Sequence, residues 1–260
     1  MLKIIHDSGF FSCCSVKLYE IIKYYNKNCE LPKLIDASTQ FSLYKPSNVN
    51  NNDITYEYFL KNDNEIMYRK FVDYHWSYQF NDFTKINYNM LNPFIIKYFT
   101  PTNEILNIIS NIENKYKLDY SNICVLFHRG NDKKTEMKLS SYQDIIDKAT
   151  KLPNTTKFLI QSDETEFIDT MISTFPNSIC FHDEIRHMNK QTSSVDILNK
   201  NKQNINFIFS KNFLAITIIM SKCKYIICGS GNCSLWIMFY RNNANNICQY
   251  LEGKWISSIS

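Results

Sequence analysis

From residue 119 onward, short apolar runs alternate with stretches whose apolar positions recur at helical spacing, the pattern of a parallel sheet with crossover helices. The runs Ile123–Phe127, Lys157–Gln161, Ile179–Phe181 and Tyr225–Cys228 predict buried strands. Between them, Ser140–Lys151, Glu164–Phe175 and Asn212–Ser221 predict helices, each entered through polar residues able to cap. This half is expected to form a Rossmann-like lobe.

The first half opens with a predicted strand at Lys3–His6, a break at Ser8-Gly9 and an amphipathic helix over about Val16–Tyr25. Leu34-Ile35 is a further candidate strand, and Ser47–Asp53 and Asn81–Asn89 read as loops. A helix predicted over Asn103–Lys117, entered after Pro101, leads into the Ile123 strand and marks a junction. The expectation is an α/β protein of two Rossmann-like lobes with a cleft between them, residues 1–118 forming the amino-terminal α/β lobe and 119–260 the carboxyl-terminal one.

At 260 residues, with 44% hydrophobic and 21% charged residues, the chain has the composition of a globular protein. The net charge of +4 is dispersed, which argues against a nucleic-acid partner. His6 and Asp7 interrupt the apolar stretch that a secretory peptide would need, and no run reaches the ~20 apolar residues of a membrane span. A cytoplasmic protein without a membrane span is expected, its 9 cysteines reduced. Cys223, Cys228 and Cys233 match no zinc-site spacing, and no Asp-x-Asp is present, so neither a metal nor a cofactor is expected.

Glycine is scarce, and Gly9, Gly130, Gly229 and Gly231 each follow a predicted strand, where a ligand can approach the backbone of an open α/β sheet. The richest such loop is Phe127-His128-Arg129-Gly130-Asn131-Asp132-Lys133, followed by Lys134-Thr135-Glu136. It sets a guanidinium at a sheet edge, where its fork suits phosphate oxygens, with Asp132 able to hold it. A charged surface turn is the alternative reading. Tyr74, Trp76 and Tyr78 either stack on a sugar or, better, pack in the core. Glu184 and Arg186 are a salt bridge or part of a pocket, with a lean to the pocket.

This loop resembles the signature of the superfamily of α-1,6-fucosyltransferases, rhizobial nodulation fucosyltransferases and protein O-fucosyltransferases, a strand ending in His-x-Arg-Arg-x-Asp-Lys. Arg129, Asp132 and Lys133 fall on its first Arg, its Asp and its Lys. Glu136 and Tyr142 fit the acidic and Tyr positions that follow, with one residue fewer between them. Phe158–Glu164 resembles the next strand, ending in Thr-Asp-Asp, and Cys228–Cys233 resembles the Ser-Ser-Gln loop that opens onto a helix and cradles the diphosphate. The resemblance spans about Pro101 to Arg241; upstream only the Gly9 turn is similar.

The resemblance implies a two-lobed glycosyltransferase of the GT-B type, its amino-terminal lobe on the acceptor side. It implies inverting, metal-independent transfer of a sugar, fucose from GDP-fucose in the first instance, to a hydroxyl of a glycan or glycoprotein. The donor site it implies comprises Gly9, His128, Arg129, Gly130, Asp132, Lys133, Tyr142, Asp163, Glu164, Ser230, Gly231 and Asn232, with Arg129 and Glu136 catalytic. Arg129, Lys133 and the loop before the helix would neutralise the leaving diphosphate, and Glu136 is either the base or a solvated carboxylate beside Lys133 and Lys134. Asp163 is either a ligand or a helix cap. Three positions depart from the pattern: Phe127 stands for the family's His, Gly130 for its second Arg, and Lys224 for an acidic residue that reads guanine. A catalytically inactive nucleotide-sugar- or glycan-binding protein is therefore the second reading.

Overall fold

The structure, a computed structural model, describes residues 1–49, 52–62, 71–185, 187–189 and 191–259. The chain begins with β1 (Leu2–Lys3), α1 (Phe10–Asn28) and β2 (Ile35–Asp36), then α2 (Thr55–Tyr58), α3 (Tyr88–Phe99) and α4 (Asn103–Tyr116). It continues through β3 (Ile123–His128), α5 (Tyr142–Ala149), β4 (Lys157–Ser162), α6 (Thr165–Thr174), β5 (Ile179–Cys180), α7 (Val195–Leu198) and α8 (Gln203–Lys222). It closes with β6 (Tyr225–Gly229), α9 (Asn232–Arg241), β7 (Ile247–Leu251) and β8 (Lys254–Ser257).

The expected α/β class is observed. The main sheet has the order β5-β4-β3-β6-β7-β8, parallel except for β8. β3 begins at the centre, the chain steps outward to β4 and β5, then returns to β6 beside β3 and steps outward the other way. The first crossovers reverse direction between β3 and β6, which leaves a crevice at the carboxyl ends of those two strands. β8 returns antiparallel through the two-residue turn Glu252-Gly253, whose φ values of 47° and 87° are those of a primed hairpin turn.

Alternation along β3 sorts its side chains. Val125 and Phe127 join a core with α4, α8 and α9, while Cys124 and Leu126 join a second core with α5 and α6. The amino-terminal part contributes a two-stranded parallel sheet, with Leu2 opposite Ile35, and its core is largely aromatic. Phe10 packs edge-on to Tyr44 and Tyr58 at ring distances of 5.6 and 4.9 Å. That core is continuous with the first one: Trp236 of α9 is fully buried, stands 4.6 Å from Phe99, and donates its indole N–H to Ser15 Oγ of α1 at 2.9 Å. Tyr74 is buried, 5.8 Å from Phe239, whereas Trp76 is 43% exposed.

α8 changes one expectation. Residues 204–222 reach a mean hydropathy of 1.2, long and apolar enough to cross a membrane by length and composition. In the fold this stretch is 61% buried and packs against α4 and α9.

Candidate functional site

β3 runs straight into Arg129 at the crevice between β3 and β6. The guanidinium is locked in place: Nε donates to Asp163 Oδ2 at 2.7 Å and Nη2 to Asp132 Oδ1 at 3.0 Å. Asp163, just past β4, is itself oriented by the backbone N–H of Gly130, which donates to Oδ1 at 3.0 Å. Burial opposes the charge on Arg129, but Asp163 and Asp132 outweigh it and raise the guanidinium pKa, so the group is a permanent cation. Among the described residues, three of its five N–H groups have no protein partner.

Lys133 is 13% exposed in its side chain and is ion-paired to Glu136, three residues on. Its aliphatic stem lies against Gly231, where a Cβ would meet Lys133 Cε at 3.7 Å. Gly231 has φ +133°, a conformation that requires glycine, and from it α9 starts with no side-chain cap on its first amides. α1 starts after Gly9, which has no side chain to cap it, but its first amide, the Phe10 N–H, is taken by the Tyr44 hydroxyl; the two helices are tied by Ser15 Oγ donating to Asn232 Oδ1 at 2.7 Å. Both helix starts line one cleft of about 220 Å³, shared by Gly9, Arg129, Asp132, Lys133, Glu136 and Asn232. An adjoining, mainly apolar pocket of about 60 Å³ runs on past Asp163 between Phe127, Val195 and Phe213.

The other expected residues lie elsewhere. His128 points to the opposite face of the sheet, stacked on Phe167 at 4.8 Å with its Nε2 3.4 Å from Glu164 Oε2. Tyr142 donates its hydroxyl to the same Glu164 oxygen at 2.7 Å, and burial first and this bond second raise its pKa. Glu164 and His128 are buried and Tyr142 half-buried over them, so this trio is a network on the side of the loop away from the cleft. Gly130 exists to admit it: a Cβ there would stand 2.0 Å from Glu164 Oε2. Ser230 is likewise turned inward, donating from N and Oγ to the carbonyl of Tyr250 and accepting from Gln249. Glu184 accepts from Tyr116 at 3.0 Å and pairs with Lys115, a partner the sequence did not suggest, and does not line the cleft at Arg129. Arg186 lies outside the described residues.

Four residues of the cleft carry no signal in the linear motif. Gln79 accepts the Gly231 N–H on its carbonyl while its own side-chain oxygen is buried without a partner. Tyr44 accepts from the Phe10 N–H and donates to Asp196, both at 2.9 Å, and Phe213 packs edge-on to Phe11 at 5.1 Å. They reach the cleft from segments far apart in sequence, Asp196 from the first turn of α7, which the sequence analysis did not anticipate.

No family model matches the chain, and no curated protein does. In fold it is similar to several solved structures. One is the NodZ α-1,6-fucosyltransferase co-crystallised with GDP, at 14% identity and a TM-score of 0.43, over 65% of this chain and 51% of that one. Another is the fucosyltransferase NodZ from Bradyrhizobium, at 13% identity and a TM-score of 0.41, over 65% and 52%. A third is a mutant of FUT1 from Arabidopsis thaliana in complex with GDP, at 12% identity and a TM-score of 0.37, over 62% and 35%. The chain thus spans about half the length of the nodulation enzyme and about a third of the plant one.

Proposed function

We propose that the cleft binds a nucleoside diphosphate sugar by its diphosphate and that the protein transfers the sugar to a hydroxyl acceptor, with inversion and with no metal at the phosphates. The observation that carries this reading is the convergence of a locked Arg129, Lys133 and the starts of α1 and α9, the latter uncapped, on one crevice at the reversal point of the sheet. A diphosphate leaving group gathers negative charge as its bond to the anomeric carbon breaks. Fixed N–H donors and cations stabilise that charge without reorganisation. The adjoining apolar pocket, which shares Arg129 with the cleft, is where a base or sugar attached to the diphosphate would extend. The resemblance of the loop motifs names GDP-fucose as the first donor to test and a glycan or glycoprotein as the acceptor.

Glu136 is the proposed base. In the donor-free protein its carboxylate is tied to Lys133; a diphosphate competes for that ammonium, and the released carboxylate takes the proton of the attacking hydroxyl. A second reading, binding without turnover, is favoured by one observation: the place of the family's second arginine is taken by Gly130 and filled by Glu164, so one cation fewer faces the phosphates. Melting curves with GDP in chelator test the site. Ligand at 100 times its dissociation constant adds about 2.7 kcal/mol. No shift with any nucleoside diphosphate would sink both readings, and a shift without donor hydrolysis or transfer would select the second.

A further inference from the structure

We propose that Cys180, His182 and His187 form a binding site for a zinc-class divalent cation at the end of the edge strand β5. The Cys180 sulfur and one ring nitrogen from each histidine all lie within 4.8 Å of one another. Zinc at ~2.3 Å from sulfur and ~2.0–2.1 Å from nitrogen needs such atoms roughly 1 Å closer, a movement within reach of two histidine side chains on a loop. The rings stand 6.0 Å apart at 75°, so they are not stacked on each other and their edges are free to converge.

The decisive atom is His187 Nε2. Nδ1 of that ring is hydrogen-bonded to the carbonyl of Ser162, and a carbonyl only accepts, so Nδ1 carries the hydrogen and Nε2 carries a lone pair. Nε2 is buried and makes no hydrogen bond of ordinary geometry, the Phe181 carbonyl being the other backbone acceptor near the ring, an arrangement costly for a basic nitrogen. An imidazole held through one nitrogen by a backbone carbonyl, with a lone pair left on the other, is how histidine ligands are presented to a metal. One thiolate and two imidazoles favour zinc over the hard cations and leave a fourth position for water. On binding, the Cys180 thiol proton passes to solvent and sulfur joins the metal as thiolate.

The consequence would be positional. The loop that carries His187 is laced to the end of β4, Met188 N–H donating to Asp163 O at 3.1 Å and Thr165 N–H to Met188 O at 2.9 Å. A cation closing Cys180 onto His187 would fix that loop beneath Asp163, the residue that holds Arg129. The site does not depend on the transferase reading and is tested without any donor.

Tag-free protein stripped with chelator is titrated with Zn2+ against a chromogenic chelator, and in parallel with Co2+. One equivalent is expected, with the visible bands of tetrahedral Co2+ and a thiolate charge-transfer band. His182→Ala, at an exposed position, should weaken binding by more than the ~10–100-fold that even loss of an outer-shell partner costs. Cys180→Ser should remove the charge-transfer band, and His75→Ala should change nothing. Absence of saturable binding would overturn the site, as would full affinity in His182→Ala or a charge-transfer band that is lost with the exposed Cys29 instead. If Cys180→Ser fails to fold, His182→Ala decides alone.

Discussion

Gly130→Ala isolates the contact that sets this loop apart. A Cβ at 130 would lie 2.0 Å from Glu164 Oε2 and 2.6 Å from its Cδ, so the carboxylate must retreat from 2.0 to about 3.4 Å to reach ordinary contact. It has little room to do so: Glu164 is 3% exposed, and that same oxygen receives the Tyr142 hydroxyl at 2.7 Å. Overpacking of this kind costs ~1–3 kcal/mol, and weakening a bond to a carboxylate adds ~1 kcal/mol or more. Against this, replacing glycine gains only ~0.4–1 kcal/mol through the unfolded chain. The net of about 2 kcal/mol should lower the melting temperature by roughly 4–8 °C for a chain of this size. Glu164→Asp withdraws the carboxylate by one methylene, so in the double variant the two losses should fall short of their sum by ~1 kcal/mol. A Gly130→Ala protein as stable as the parent, or strictly additive losses, would refute the steric account.

Arg129→Lys should fold yet lose most of the stabilisation by GDP, because an ammonium cannot hold Asp163, Asp132 and a phosphate in fixed directions; retained melting shifts would count against the site. Glu136→Gln should bind GDP more tightly, since Lys133 is released, while donor turnover falls ~10²–10⁴-fold; unchanged turnover would end the assignment of Glu136 as base. Lys17 is buried on Thr55, and burial lowers its pKa to about 8, so between about pH 8 and its unfolded value near 10.4 the unfolded chain binds more protons. Stability relative to Lys17→Met should therefore rise with pH across that window, and parallel urea midpoints at the two ends would contradict it.

How much was legible depended on whether a residue's neighbours were local. β3, β4 and β6 were readable because they are buried on both faces and so appear as continuous apolar runs. β7 escaped because Gln249 breaks its run; that side chain is fully buried, donating to Asn81 O and Ser230 Oγ and accepting from Phe83 N–H. β8 is an edge strand paired on one side only. The predicted helix at Asn212–Ser221 is the carboxyl half of α8, whose first turns are too mixed in polarity to show a period. In the site, Arg129 and Lys133 could be read as cations at a strand end, but a linear motif does not say that His128, Tyr142 and Glu164 face away from the crevice. Gln79 and Asp196 enter from other segments, and the Cys180, His182 and His187 trio has no familiar metal-site spacing.

The charge around the crevice constrains how a diphosphate could bind there. Among the described residues, Arg129 and Lys133 stand with Asp132, Glu136, Asp163 and Asp196, two cations against four carboxylates. An anion is thus not drawn in by net positive charge. Asp132 and Asp163 are committed to Arg129, and what they contribute is a fixed guanidinium at the cleft wall. Lys133 is the adjustable cation, and under the proposed function it exchanges Glu136 for phosphate. The oriented amides of α1 and α9 supply the rest at short range, where salt screens little. Donor binding should accordingly depend weakly on ionic strength. The same exchange couples binding to chemistry, because the carboxylate that must accept a proton is masked by Lys133 until a diphosphate takes that lysine away.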